Sequence, residues 1–407
     1  MDNKFKTDNG YCIVNESGFY FYSNDSYNKE LKFDNKKTGN EYSQSTKHLG
    51  KISIFLSENC NLRCIYCYAD SGKGVRTVSL TSAKTLIDFV SQKSDYFILD
   101  FHGGGEPLLF FDLIKDIYDY AHDTGKLLRV VLISNCYIQD RKTEILDWIV
   151  EHVDVFAISF DGIPLVQNFQ RPAVINSTSS EIVEDSVRYL VKKNYNFTVR
   201  STVTGFSDKY MFENIKYFHS LGIRNFIFSP CYNYGRSDDA NLLPNPTIYV
   251  KQFMDCVSYA YKNNLTLRTT SFRMPGKSYC GALPAYNICL TVDDYISTCY
   301  EVTSKNDFAS DLFFVGKIEN GNVVFWKDKI LNLKSFDLDG KCSKCECRFV
   351  CRGGCPVKQY RNSVRSSGNL CAITKLVVPK ILTYLHENPN AANNLLHNSE
   401  LVYEAFD

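Results

Sequence analysis

Three cysteines stand within eight residues of one another, in Cys60-Asn61-Leu62-Arg63-Cys64-Ile65-Tyr66-Cys67. The C-x3-C-x2-C spacing lets one short loop present three thiolates. Three thiolates can hold three irons of a 4Fe–4S cube and leave the fourth iron open, whereas such cubes usually take four cysteines. Two plainer readings stand beside this one. A zinc site is the first, although zinc favours C-x2-C pairs with a distant second pair. A loop with incidental cysteines is the second. The flanks favour the cube: a strand-like run, Lys51–Ser57, feeds directly into the motif, and Tyr66 and Tyr68 bracket Cys67.

A second group lies far downstream. Cys342 and Cys345 are followed by Cys351 and Cys355, giving C-x2-C-x5-C-x3-C, with Cys371 beyond them and Cys280, Cys289 and Cys299 before them. A disulfide framework needs an oxidising compartment. The N-terminus, Met1-Asp2-Asn3-Lys4, leads into no apolar h-region, so no signal peptide is expected. Clustered cysteines in a reducing, cytoplasmic setting read as iron–sulfur or metal ligands. Cys12, Cys136, Cys231 and Cys256 lie apart from both groups and are expected to be plain buried residues; Cys347 is an extra thiol.

The elements that must position these groups follow from the periodicity. Strand-like runs at Ile52–Ser57, Phe97–His102, Leu127–Ser134, Val155–Phe160, Phe197–Thr204 and Phe226–Ser229 alternate with helix-like runs near 80–93, 109–122, 142–151, 178–193, 208–220 and 246–263. Thr178-Ser179-Ser180-Glu181 fits a capping box for the fourth helix, with Thr178 as cap. Six βα units imply a parallel sheet with helices outside, and about 215 residues suit a six-unit partial barrel better than a closed barrel of ~250. The cysteine loop then lies at the C-terminal rim, after the first strand. Residues 231–246 read as a polar loop leading to the sixth helix.

The chain of 407 residues allows two or three domains. Residues 1–48 read as a strand-containing extension, with Gly18–Tyr22 and Leu31–Phe33 as a hairpin; 49–270 as the barrel core; 271–375 as a cysteine-rich domain. Residues 376–407 read as a short helix, with Pro379 near its start, and a loosely packed tail. Lys and Arg number 46 against 45 Asp and Glu, which gives no pull towards nucleic acid or an anionic membrane. No run of 18 apolar residues occurs, so no membrane helix is expected.

Cys60–Cys67, with its C-x3-C-x-aromatic-C pattern, resembles the signature of the radical S-adenosylmethionine (SAM) superfamily. The resemblance implies a (βα)6 partial barrel. It also implies a 4Fe–4S cluster held by Cys60, Cys64 and Cys67, with SAM chelating the open iron and being cleaved to a 5′-deoxyadenosyl radical. Three further stretches match the superfamily at strand ends. Gly103-Gly104-Gly105-Glu106-Pro107 would line the methionine end of SAM, with Glu106 fixing the turn. Asn135 would contribute weakly, since Cys136 replaces the usual glycine of a Thr-Asn-Gly run. Ser159 would contact the ribose and Arg171 would lie near the carboxylate. Asp161-Gly162, between them, also reads as an ordinary turn.

The downstream cysteines resemble the SPASM domain, which holds two auxiliary iron–sulfur clusters. By position, Cys342, Cys345, Cys351 and Cys371 would hold one. Cys280, Cys299 and Cys355 would hold the other, with Cys289 as candidate fourth ligand. The family usually has glycine where this chain has Asp294, so that turn is expected to be built differently. A zinc ribbon is the competing reading for this group. SPASM enzymes mostly modify peptides or proteins. In the sulfatase-maturating branch an aspartate serving as base follows the cysteine at 299 directly, whereas here Tyr300 and Glu301 follow. The Cys-Tyr-Glu-Val run looks instead like maturases that cross-link ribosomally made precursor peptides, with Tyr300 and Glu301 as candidate catalytic residues and flavodoxin or ferredoxin as electron donor. Formylglycine formation, and a non-catalytic iron–sulfur electron carrier, are the alternatives.

Overall fold

The computed structural model describes residues 3–8, 10–15, 18–23, 31–34, 49–237, 242–275, 280–283, 287–336, 340–364 and 369–395. Four N-terminal strands, β1 (Asn3–Thr7), β2 (Gly10–Asn15), β3 (Gly18–Ser23) and β4 (Leu31–Asp34), form an antiparallel meander. The expected pairing is present, with Phe21 opposite Leu31 and Phe19 opposite Phe33. Two further strands precede it, where Lys4, Lys6 and Tyr11 interrupt the apolar pattern. The meander buries Phe5, Cys12, Val14, Phe19 and Phe21.

The core strands are β5 (Leu49–Ile54), β6 (Tyr96–Phe101), β7 (Leu127–Ser134), β8 (Val155–Ser159), β9 (Thr198–Val203) and β10 (Asn225–Pro230), all parallel to their neighbours. The six intervening and following helices are α1 (Leu80–Lys93), α2 (Phe111–Asp123), α3 (Lys142–His152), α4 (Ser180–Lys192), α5 (Met211–Ser220) and α6 (Pro246–Lys262). A shorter helix, Pro164–Gln170, precedes α4. Period-two alternation assigns the two sheet faces. On β5, Gly50 lies against Val90 and Ser94 at the end of α1, so Ile52 and Ile54 face the helices while Lys51 and Ser53 face the barrel lumen. Each fully buried Leu86 or Ile87 on α1 contributes roughly 1.5–3 kcal/mol.

The sheet does not stop at six strands. β11 (Thr266–Arg268) adds a parallel strand beside β10, and β12 (Ile288–Leu290) adds one beside β5. Three antiparallel strands follow, β13 (Tyr295–Ser297), β14 (Phe314–Glu319) and β15 (Asn322–Phe325). The cysteine-rich half therefore continues the barrel sheet past its first strand and covers that edge.

Three local expectations are corrected. The N-cap of α4 is Ser179, not Thr178, and its side chain makes no capping bond. Asn168, on the preceding short helix, accepts from both Ser179 N (2.8 Å) and Ser180 N (2.9 Å), and the Ser179 hydroxyl goes to Arg171 O. The last long helix, α7 (Leu370–Glu387), runs straight through Pro379. Burial of Val377, Val378, Ile381, Leu382 and Leu385 outweighs the local cost of an interior proline, about 3 kcal/mol. The chain after α7 is packed as far as it is described, with Ala391, Ala392 and Leu395 buried; residues 396–407 lie outside the described residues. The N-terminal meander docks on α7 through Thr7 Oγ1 and His386 Nδ1, 2.8 Å apart. No described helix is long and apolar enough to cross a membrane.

Candidate active site

The three-cysteine loop leaves β5 and is closed at its stem by backbone bonds from Glu58 N to Arg76 O (3.1 Å) and Gly72 N to Glu58 O (2.7 Å). Its body is pinned to the segment after β8: Arg63 N donates to Pro172 O (2.8 Å) and Ile65 N to Gln170 O (3.0 Å). The expected glycine run lies directly against it. Gly103 and Gly104 have positive φ, and a Cβ on Gly105 would fall 1.8 Å from Asn59 O. The glycines let two stretches of the protein's own backbone touch: Gly105 N donates to Ser57 O (2.5 Å) and Glu106 N to Asn59 O (2.8 Å).

Glu106 is buried and binds three donors, Ser134 Oγ (2.6 Å), Asn135 N (2.7 Å) and Leu108 N (3.1 Å). It thereby fixes the end of β7 to the glycine run, while burial raises its pKa against these bonds. Asn135 turns to the cysteine loop, donating to Asn61 Oδ1 (2.8 Å) and contacting Cys60 Sγ at 3.8 Å. Cys136 sits at φ +56° and Asp294 at +66°. Both positions, where the family would carry glycine, hold the left-handed backbone that glycine favours. The turn at 294 is thus of the glycine kind, with an aspartate in its place.

Arg171 is buried and ion-paired to Asp161 at 3.0 Å, with Nη1 3.7 Å from Cys64 Sγ and the guanidinium over the Tyr66 ring. Asp161 is the site residue that the pattern missed. It is fully buried and also accepts from Tyr66 OH, Gln170 Nε2 (2.7 Å) and Thr202 N (2.9 Å). An acidic residue directly after an apolar strand was its signal. Ser159, at the end of β8, lies beside Arg200 in register. Burial, reinforced by Asp161, pushes the Tyr66 phenol well above its usual pKa.

The donor set fits a cubane that takes three thiolates. Such a group is anionic, and three guanidiniums gather at the loop, one from the loop itself and two from the segments after β8 and β10. Arg63 Nη1 donates to Cys60 O (2.6 Å), Arg171 approaches Cys64 Sγ, and Arg236 Nη1 donates to Cys64 O (2.9 Å). Hydrogen bonds to the sulfurs are among the levers that tune such clusters, and Asn135 and Arg171 supply them. Among the described residues no group of three or more His, Cys, Asp or Glu is placed to hold a single metal ion. Burial raises the thiol of Cys60 and lifts that of Cys64 to about 11, so ligation would displace their protons.

The downstream cysteines divide into two neighbourhoods. Cys351 is lifted to about 12 by burial and by the proximity of Cys371, Cys342 and Cys345. Cys299 is raised by burial and by Cys355, Glu301 and Cys280, and Cys355 is lifted to about 12 by burial, Glu301 and Cys280. Cys289 is fully buried on β12, with Asp100, Lys51 and Cys280 as its titratable neighbours. Cys12, Cys136, Cys231, Cys256 and Cys347 are all buried.

The lumen beside the glycine run is polar. Lys51 Nζ lies 3.7 Å from Asp100, which also accepts from Ser53 Oγ (3.1 Å). Burial pulls Lys51 down to about 7 and pushes Asp100 up. The His102 ring packs on Tyr300 with centroids 4.8 Å apart, and burial with Arg200 and Lys51 holds His102 neutral. Tyr300 O accepts from Tyr68 OH (3.3 Å), beside Cys67. Glu301 is otherwise engaged: Arg361 donates to its Oε2 (3.2 Å) and its backbone oxygen (3.0 Å), and Lys358 lies 3.4 Å from Oε1. Both oxygens of Glu301 are held by cations, an arrangement that ties the chain together rather than one poised to take a proton.

Comparison with known proteins agrees with this arrangement. A sequence profile of the radical SAM superfamily matches residues 54–239. An uncharacterized protein of Methanocaldococcus jannaschii is 29% identical over 243 residues, 58% of this chain and 78% of that protein. A cysteine-type anaerobic sulfatase-maturating enzyme of Clostridium perfringens is 21% identical over 339 residues, 76% of this chain and 89% of that enzyme. Among solved structures, native anSMEcpe with bound AdoMet superposes with a TM-score of 0.67 at 18% identity, covering 84% of this chain and 100% of that one. Streptococcus suis SuiB bound to its precursor peptide SuiA superposes at 0.56 with 11% identity, covering 76% and 72%; these likenesses speak to the fold. With the three-cysteine loop, the glycine run and the parallel barrel in place, residues 54–239 form a radical SAM superfamily domain, and the chain is an enzyme.

Proposed function

We propose that this enzyme is a peptide maturase that forms a thioether or carbon–carbon cross-link in a ribosomally made precursor peptide. A 4Fe–4S cluster with SAM bound would supply one-electron cleavage of SAM and a 5′-deoxyadenosyl radical able to take a hydrogen atom from the peptide. Cys60, Cys64 and Cys67 would hold that cluster. Cys342, Cys345, Cys351 and Cys371 would hold one auxiliary cluster, and Cys280, Cys299, Cys355 and Cys289 the other. The chain's own residues then have defined tasks. Glu106 holds the glycine run in place, where it would line the methionine end of SAM, and Ser159 would contact the ribose. Asp161 fixes Arg171 against Tyr66 of the loop. Tyr300 and His102 line the lumen where the peptide would enter, and a flavodoxin or ferredoxin would deliver electrons.

The observation that carries the cross-linking reading is the site after Cys299. A tyrosine stands where the sulfatase-maturating branch would place its aspartate base, and the next residue, Glu301, is locked between Arg361 and Lys358. Formylglycine formation is the second reading, favoured by the relation over 89% of a sulfatase-maturating enzyme. The test is the intact mass of short peptides encoded beside the gene, each co-expressed anaerobically with the enzyme and with its Cys64→Ala variant. Cross-linking predicts loss of hydrogens in pairs, dependent on Cys64 and without hydrazide reactivity. A hydrazide-reactive carbonyl would transfer the case to the second reading, and unaltered masses throughout would refute peptide cross-linking at this locus.

A further inference from the structure

The polar loop after β10 carries no motif, yet it grips the three-cysteine loop. Arg236 Nη1 donates to Cys64 O (2.9 Å) and Nη2 to Ser71 O (2.6 Å). Its Nε pairs with Asp70 Oδ1 (2.9 Å), and its backbone N donates to Cys67 O (3.0 Å). Gly235, at φ +67°, makes this approach possible, since a Cβ there would fall 2.5 Å from Cys67 O and 2.6 Å from Tyr68 O. Four contacts from one residue thus fall on the stretch that carries two of the three thiols. A guanidinium suits this task because its planar fork reaches several oxygens in one geometry, which an ammonium cannot do.

The other end of the same loop is anchored in the cysteine-rich half. Tyr232 OH donates to Lys358 O (2.9 Å), and the Arg361 guanidinium lies 3.4 Å from the centroid of the Tyr234 ring. Lys358 and Arg361 sit on the helix Pro356–Val364, which begins directly after Cys355. Arg361 also binds Glu301 and Asp307. Residues 232–236 therefore run from that helix to the carbonyls of Cys64 and Cys67.

We propose that Arg236 is a positioning residue that holds Cys64 and Cys67 in the geometry that takes up the SAM-binding cluster, and that residues 232–236 tie this loop to the helix following Cys355. The proposal rests on the reading of Cys60, Cys64 and Cys67 as cluster ligands, but not on any peptide substrate. Removing the fork takes the guanidinium from two part-buried carbonyls and leaves Asp70 with Lys73 as its cation. Outer-shell partners of metal ligands typically carry 10–100-fold in metal affinity or activity, and charge near an iron–sulfur cluster sets its potential.

The test uses the full chain, reconstituted anaerobically with iron and sulfide, as wild type, Arg236→Gln, Arg236→Lys and a surface control, Arg188→Gln. Three quantities are read: iron bound per chain, the change that added SAM makes to the EPR spectrum of the reduced protein, and the potential at which that SAM-sensitive signal appears. Arg236→Gln is expected to weaken the SAM-sensitive signal at least tenfold and to move what remains to lower potential. Arg236→Lys, which keeps the charge and loses the fork, is expected to bind less iron yet hold the potential. Hydrogen exchange on the metal-free chains covers poor reconstitution. Peptides from 64–72 should exchange faster in Arg236→Gln while those from 97–101 stay protected. Wild-type signal, potential and exchange in Arg236→Gln would overturn the proposal. A wild-type chain with no SAM-sensitive signal would instead refute the cluster reading on which it rests.

Discussion

Replacing Gly105 with alanine tests the join between the glycine run and the cysteine loop. The added methyl carbon would start 1.8 Å from Asn59 O, 2.7 Å from its carbonyl carbon and 3.0 Å from its nitrogen. All three are backbone atoms, so no side-chain rotation relieves the clash. The two strands of chain must separate by more than an ångström to reach even the closest tolerated approach. The bonds Gly105 N to Ser57 O and Glu106 N to Asn59 O, 2.5 and 2.8 Å long, cannot survive that movement. Each buried donor left unpaired costs about 1–3 kcal/mol, and overpacking adds about 1–3 kcal/mol. The expected local loss is therefore several kcal/mol, concentrated one residue from Cys60. The assay is iron content and visible absorbance after reconstitution, with hydrogen exchange of peptides spanning 55–60 and 103–108. Gly125→Ala is the control, since Gly125 has φ +65° but no atom within 4 Å of the added carbon. The reasoning is refuted if Gly105→Ala takes up iron and protects these peptides as well as the control does.

Two further substitutions probe the lumen and the third strand end. Lys51→Met strands the fully buried Asp100 and should cost about 3–5 kcal/mol, while Lys51→Met with Asp100→Leu should recover most of it. Denaturant unfolding measures both, and equal stabilities would contradict a buried ion pair. Because burial raises the pKa of Asp100, the folded chain takes up its proton at higher pH than the unfolded one. The cost in the single variant is then absent below the ordinary carboxylate range and grows as pH rises through the raised value. Cys136→Gly relieves a left-handed backbone, worth about 1–2 kcal/mol, and gives up a small buried side chain of similar value. Stability should change by less than about 1 kcal/mol and iron content should stay constant; a loss of iron would make Cys136 more than a packing residue.

The cysteine motif and the alternating strands and helices are written locally, and so the sequence by itself determined them. Cysteine spacing in Cys60–Cys67, and the alternation of apolar strands with amphipathic helices, depend on residues a few positions apart. That is why the six core strands, their helices and the barrel class were legible. The glycines at 103–105 were equally legible, although they serve contact between two stretches of backbone rather than approach to a ligand alone. The tertiary structure decided what depends on where distant chain ends arrive. Asp161 became a buried hub because Tyr66, Arg171 and Thr202 meet at one rim. Asn168 displaced Thr178 as the cap of α4 because a neighbouring helix brought a better acceptor. Pro379 was absorbed because α7 buries its flanks, and Cys136 and Asp294 hold left-handed turns without glycine because the surrounding fold constrains them. Arg236 lies 172 residues from Cys64. A hydrogen bond across that separation leaves no periodicity to read, since its energy is gained only after the barrel has brought β5 and β10 into one sheet.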